Sequence, residues 1–221
     1  MAQRTIHYLF GDILSKENVL KDKNRFLLGS VLPDAYSNVV ERDISHFTDT
    51  KLPNNQVYFD FMKFRAQFNE LIKTDDLYLG YYMHLVEDDF YRQFIREIHM
   101  KNDVPHSAEE VARLHNDYHI LNAYIVEKYK IKYTLVQPVD FKMEPVNRIV
   151  RFKLERFLED LQHDFTENPQ GKTCFLTEDM LDQFIDQYID LAIKELHSVL
   201  NGEYYLNAID YAWTRPGNLS S

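Results

Sequence analysis

The stretch from Asp75 to Met100, DDLYLGYYMHLVEDDFYRQFIREIHM, constrains the fold most. It holds no proline and only one glycine. At about 100° per residue it places Leu77, Tyr81, His84, Asp88, Tyr91 and Ile95 in one narrow arc, with Leu79, Met83, Val86, Phe90 and Phe94 filling the next. Asp75 is a suitable N-cap. A helix this apolar belongs inside the molecule, yet His84 and Asp88 lie one turn apart at the edge of its buried face. Asp89, Arg92, Gln93 and Arg96 fall outside that face and are expected to be solvated, whereas Glu87 projects toward the apolar side as a partner for a neighbouring group. Gly80 marks a place where another backbone or a ligand comes close.

The other long segments repeat the helical period. NNQVYFDFMKFRAQFNELIKT spaces Val57, Phe61, Phe64, Phe68 and Leu71 by threes and fours. HSAEEVARLHNDYHILNAYIVEKY opens on a capping box, Ser107 and Glu110. EPVNRIVRFKLERFLEDLQHDF and TEDMLDQFIDQYIDLAIKELHSVL read as two more amphipathic helices, the second capped by Thr177, and EYYLNAIDYAW as a shorter one. Only IKYTLVQPVDF has a strand-like pattern, and TENPQGKTC reads as a loop between helices. The expected fold is all-α, a single-domain multi-helix bundle over residues 1–221.

Composition narrows the chemistry. The single cysteine, Cys174, excludes an intramolecular disulfide and a cysteine-based zinc site, so any metal is held by histidines and carboxylates. A formal charge of -10 argues against a general nucleic-acid binder, which needs a basic footprint. It does not argue against a phosphate-bearing substrate, because a bound cation reverses the local field. MAQRTIHYLF lacks the pattern of a signal peptide, and no apolar run approaches the ~20 residues that span a bilayer. A soluble, cytoplasmic protein is the expectation.

A buried carboxylate must be paired or bind a metal. For His84 and Asp88 alone, a hydrogen bond within the helix is the simpler explanation. Other ligand-type residues in comparable settings strengthen the metal reading. His115 and His119 lie one turn apart in HNDYHILN, on a face with Asn122, while Asp117 falls on the far side and is left to solvent. Asp34 follows Pro33, which stops or bends a helix, so its carboxylate can turn inward; by itself it would be a cap. His46 sits between Ile44 and Phe47 in ISHFTD, read as a loop. His7, in TIHYLF, is the weakest alone.

Taken in order, the early His7, FLLGSVLPD, SHF, YLGYYMHLVEDDF and HNDYH resemble the zinc-dependent phospholipase C family, which is related in architecture to the S1/P1 nucleases. The resemblance covers roughly residues 1 to 130 and leaves the last third of the chain aside. It implies a helical fold with up to three zinc ions in a cleft. It implies Asp34, His46, His84 and Asp88 as ligands of one ion, Asp88 bridging to a second that His7 helps to hold, and His115 with His119 at the remaining position. Two departures stand out. Secreted members begin with a metal-binding Trp where this chain reads Met-Ala-Gln, and His119 stands where a carboxylate is usual. His99 and His106 do not fall at a persuasive spacing to supply a further ligand. One to three ions are therefore expected: zinc, or Fe, Mn or Ni, which accept the same ligand types.

The implied activity is phosphoester hydrolysis by a metal-activated water, with Asp34 and Asp88 as the catalytic carboxylates and Asp34 or Glu87 orienting the water. Tyr81 and Tyr91 share the metal face, where packing explains them more simply than substrate contact. A small soluble phosphate ester suits this acidic chain better than a phospholipid, which the family name leaves open; basic amphipathic segments for an anionic lipid surface are absent. Two other readings remain. One is a phosphohydrolase of the HD type, for which only His163–Asp164 supplies the adjacent pair. The other is a non-catalytic helical protein with a structural or degenerate metal site.

Overall fold

The computed structural model describes residues 2–49, 52–53, 56–100, 105 and 107–214. The chain is mostly helical. Eight α-helices are present among the described residues: α1 (Arg4–Leu14), α2 (Lys23–Gly29), α3 (Val39–Ser45), α4 (Phe61–Thr74), α5 (Asp76–Tyr91), α6 (Ala108–Tyr129), α7 (Leu154–Asp164) and α8 (Glu178–Leu200). None of the helices in this region is long and apolar enough to cross a membrane.

α5 is the axis of the molecule, and every one of its residues is buried. The Asp75 carboxylate caps it, accepting from Leu77 N at 3.0 Å. The helix packs most closely on α2 and α4. The crossing with α2 depends on two facing glycines. A Cβ on Gly80 would run into the Phe26 carbonyl, and one on Gly29 into the Leu77 carbonyl. Because both obstacles are backbone, neither can swing aside. Phe64 of α4 stacks on Tyr81 with ring centroids 4.5 Å apart, and on another side Phe90 stacks on Tyr188 of α8 at 4.7 Å. The aromatic rings thus fill the space between helices, as large flat side chains with few rotamers do well.

Several segments differ from the sequence reading. Gln56–Phe59 is not the start of a helix but a strand, β2, lying antiparallel between β1 (Thr48–Asp49) and β3 (Trp213–Thr214). Asp60 explains the division: its side chain accepts from Lys63 N at 2.9 Å and starts α4 one residue later. The strand-like IKYTLVQPVDF pairs with no strand among the described residues. Part of its backbone is satisfied instead by the Tyr8 hydroxyl, which donates to Lys132 O at 2.7 Å and accepts from Thr134 N at 2.9 Å. EPVNRIVRF holds only a short 3-10 turn, Pro145–Arg148, before α7, and EYYLNAIDYAW a 3-10 turn, Ala208–Tyr211, before β3. The caps at Ser107 and Thr177 form as the spacing predicts.

Asp89 and Asp117, both expected in solvent, are fully buried. The sheet covers the outer side of α5, and Asp89 accepts from Phe59 N of β2 at 3.2 Å. Asp117 faces the loop between α7 and α8, where its two oxygens accept from Cys174 N at 2.8 Å, Phe175 N at 2.6 Å and Leu176 N at 3.0 Å. Arg92, Gln93 and Arg96 are half-buried instead of fully solvated. Past Tyr91 the helix widens into a π-helical segment, Arg92–Met100.

Two stability outcomes follow. Gly80→Ala forces α2 and α5 apart and lowers unfolding free energy by about 1–3 kcal/mol, read as a lower denaturant midpoint at unchanged slope. Asp117→Ala strands three backbone donors in the α7–α8 loop and costs about 3 kcal/mol, measured the same way.

Candidate metal centre

α1, the turn after α2, the end of α3 and α5 converge at one point. Pro33 opens a 3-10 turn, Leu32–Asp34, that carries Asp34 inward. Ser45 ties α3 to this turn by donating to Pro33 O at 2.9 Å, and Tyr81 donates to Ser45 O at 2.6 Å. His46, the C-cap residue of α3, is thereby held against His84 of α5. His7 comes from α1, its ring stacked on that of His84 with centroids 3.8 Å apart. His7, His46, His84 and Asp88 are completely buried, and the Asp34 side chain is only 6% exposed.

The three imidazoles share one orientation. His84 Nδ1 donates to Ser30 O at 2.8 Å, and His46 Nδ1 donates to Arg42 O at 3.0 Å. His7 Nδ1 donates to Glu87 Oε2 at 2.8 Å. A carbonyl can only accept, so the Nδ1 atoms of His46 and His84 carry protons, and in the neutral rings the Nε2 atoms carry lone pairs; burial disfavours a charged His46, but Asp34 and Asp88 beside its Nε2 outweigh it and raise its pKa. These Nε2 atoms face each other at 3.2 Å. Two such acceptors require a proton or a cation between them. Asp88 Oδ2 lies 3.3 Å from His46 Nε2 and 3.6 Å from His84 Nε2, while Asp88 Oδ1 accepts from Ala2 N at 2.8 Å. His7 Nε2 is 3.6 Å from Asp88 Oδ1 and 3.7 Å from Asp34 Oδ2; it is shielded from water and has no hydrogen-bond partner among the described residues.

Two overlapping ligand groups result, His7–His84–Asp88 and Asp34–His46–His84, each with its ligand atoms within 4.8 Å of one another. Imidazole nitrogens and carboxylate oxygens suit Zn²⁺ and the neighbouring first-row ions. The hydrogen bonds behind the rings fix their tautomers and aim, as outer partners do in metal sites. This donor set fits a cation.

The protonation behaviour agrees. Burial works against a charged His7, but the Glu87, Asp88 and Asp34 carboxylates outweigh it and lift its pKa to about 9. Burial, helped by the neighbouring His7 charge, pushes His84 down to about 3. Burial raises Glu87 to about 7 against the pull of His7. Asp88 is held well below the usual carboxylate range: burial opposes this, and nearby positive charge, His7 included, together with a hydrogen bond to His46 prevails.

Asp34 also lines a cleft of about 800 Å³, together with Tyr36, Arg96, His115, Tyr118 and Trp213. Asp34 is therefore where the buried cluster meets the cleft. His115 and His119 are brought to the cleft wall, not into the cluster. His119 joins Asp164 and Glu167 in a separate group, its Nδ1 2.7 Å from Glu167 Oε1. Arg4 already supplies positive charge there, forming a bidentate pair with Asp164 at 2.6 and 2.8 Å. Glu167 also accepts from Asn122 Nδ2 at 2.8 Å. His115 belongs to neither kind of group among the described residues. His106 lies outside the described residues. His163 is largely exposed, and the Asp164 beside it is committed to Arg4. Tyr81 and Tyr91 are packing residues, Tyr91 meeting Phe184 edge-on at 5.4 Å. Sequence reasoning named Asp164 only as the partner of His163 and missed Glu167; their spacing of three across the end of α7 is a local signal for the pair.

Metal-free protein reports on His7 directly. Its folded pKa is raised from 6.5 to about 9, so its contribution to stability is complete below about pH 6.5 and lost as pH rises through 9. The melting temperature of metal-free protein should therefore fall between pH 7 and 9.5, and His7→Asn should flatten that fall.

No family model, curated protein or solved structure matches the chain.

Proposed function

We propose that this protein is a metal-dependent hydrolase of small phosphate esters, with a helical architecture of the phospholipase C/P1 nuclease type. The observation that carries the reading is the set of inward Nε2 atoms from His46 and His84, 3.2 Å apart beside Asp88, at the foot of a cleft. Buried lone pairs and carboxylates in this arrangement are costly without a cation. His7, Asp34, His46, His84 and Asp88 would hold one or two divalent ions.

Such an ion lowers the pKa of a coordinated water toward ~7 and offsets phosphate charge. The chain's own groups do the rest. Asp34, the carboxylate of this cluster that lines the cleft, would accept the proton of an attacking water. Glu87 holds His7 in a fixed tautomer through Nδ1. Asp88 is kept ionised, as a ligand must be. The buried rings of the cluster exclude bulk water from one side, so substrate reaches the centre from the cleft. His115 and His119 stand on the cleft wall, where they would meet the substrate or a further ion.

Purified protein loaded with zinc, iron, manganese or nickel should hydrolyse p-nitrophenyl phosphate or bis(p-nitrophenyl) phosphate. His84→Ala should lose bound metal, measured by elemental analysis. Asp34→Asn, which keeps one ligand oxygen, should lower kcat about 10²–10⁴-fold at saturating metal. Bound metal with no turnover on either ester, or on a short-chain phospholipid, would establish a structural site instead.

A further inference from the structure

The cleft of this acidic chain is lined by four arginines, Arg4, Arg42, Arg92 and Arg96. Three are engaged. Arg4 holds Asp164, Arg42 reaches Asp43 at 3.0 Å, and Arg92 reaches Glu97 at 3.1 Å while its guanidinium lies over the Trp213 ring at 4.9 Å. Arg96 forms no ion pair with a carboxylate among the described residues, and its Nε is shielded from water with no hydrogen-bond partner there. Its charge is felt instead by the Tyr91 and Tyr118 hydroxyls.

The backbone explains how this charge comes to the cleft. Arg92 and Arg96 belong to the π-helical segment that follows α5. In a π-helix the hydrogen bonds run from i to i+5, so residues four and five apart share a face. Arg92, Arg96 and Glu97 are so related. In a regular α-helix the continuing stripe of α5 would turn Arg96 outward, as the sequence period predicts. With the widened turn, Arg96 lines the cleft that Asp34 and Tyr118 also line. π-helical turns inside helices occur often at functional sites.

A guanidinium is a planar donor fork that matches two oxygens of a phosphate or carboxylate. We infer that Arg96 is a specificity residue that binds a second anionic group on the substrate. The ligand class is a small phosphate ester bearing a further phosphate or carboxylate. This inference rests on the proposed hydrolase reading for the ester held near Asp34, but the arginine subsite is measurable on its own.

Isothermal titration of the metal-loaded full chain tests it with matched probes. 2-Phosphoglycolate is compared with ethyl phosphate, and 1,3-propanediol bisphosphate with propyl phosphate. The member with two anionic groups in at least one pair should bind about tenfold more tightly or better. The pair that shows the gap tells a carboxylate from a phosphate. Arg96→Ala should abolish the gap while leaving ethyl phosphate affinity and metal content unchanged, and Arg96→Lys should restore part of it. Equal binding within both pairs by the unaltered protein, or a gap that survives Arg96→Ala, overturns the inference; the first result needs no variant to fold. The same titration of His84→Ala separates the two readings. If the metal centre is wrong, elemental analysis finds no metal in the unaltered chain, yet the Arg96-dependent gap remains.

Discussion

The structure depends on the meeting of imidazoles and carboxylates in the interior, where only Asp34 borders the cleft. His46 and His84 each commit Nδ1 to a backbone carbonyl and aim Nε2 at the other. Such an arrangement is unfavourable unless something positive lies between the rings. Much of the surrounding architecture holds it in place. Ser45 latches the end of α3 to Pro33, Tyr81 latches Ser45 to α5, and Glu87 supports His7 from behind. The cluster is thus supported by partners outside it, most of them on α5 or packed against it.

The close approach of α2 and α5 belongs to the same logic. Ser30, whose carbonyl orients His84, follows directly on Gly29. With Gly29 and Gly80 facing one another, the two backbones lie close enough for that carbonyl to reach an imidazole on the next turn of α5. Larger residues would separate the helices and lose the hydrogen bond that fixes the tautomer. Packing and site chemistry are coupled here, because one short helix crossing serves both.

Much of this was legible along the chain, and the parts that were not share a cause. The 3.6-residue period marks α5, α6 and α8, and the Asp75, Ser107 and Thr177 caps mark their starts, because these are local effects of backbone geometry and of side chains reaching their own first turn. The position of Glu87 on the apolar side of α5 also follows from the period. The solvated reading of Asp89 and Asp117 fails for a different reason. Both lie off the apolar stripe, but each receives backbone N–H groups from a distant segment, β2 for one and the α7–α8 loop for the other. A helical wheel contains no information about those segments. The helix read across Val57 fails because Asp60 caps α4 internally and frees Gln56–Phe59 to pair with β1 and β3.

A strong helical period and a single cysteine were enough to make the chain mostly helical, to bury α5, and to rest any metal on histidines and carboxylates. Which of those residues meet is a matter of how the helices cross. The fold set His7, Asp34, His46, His84 and Asp88 together, placed His115 and His119 on the cleft wall, and put Asp164 and Glu167 beside His119. The reason is physical: period and capping act over a few residues, whereas a ligand cluster is fixed by crossings between helices far apart in the chain.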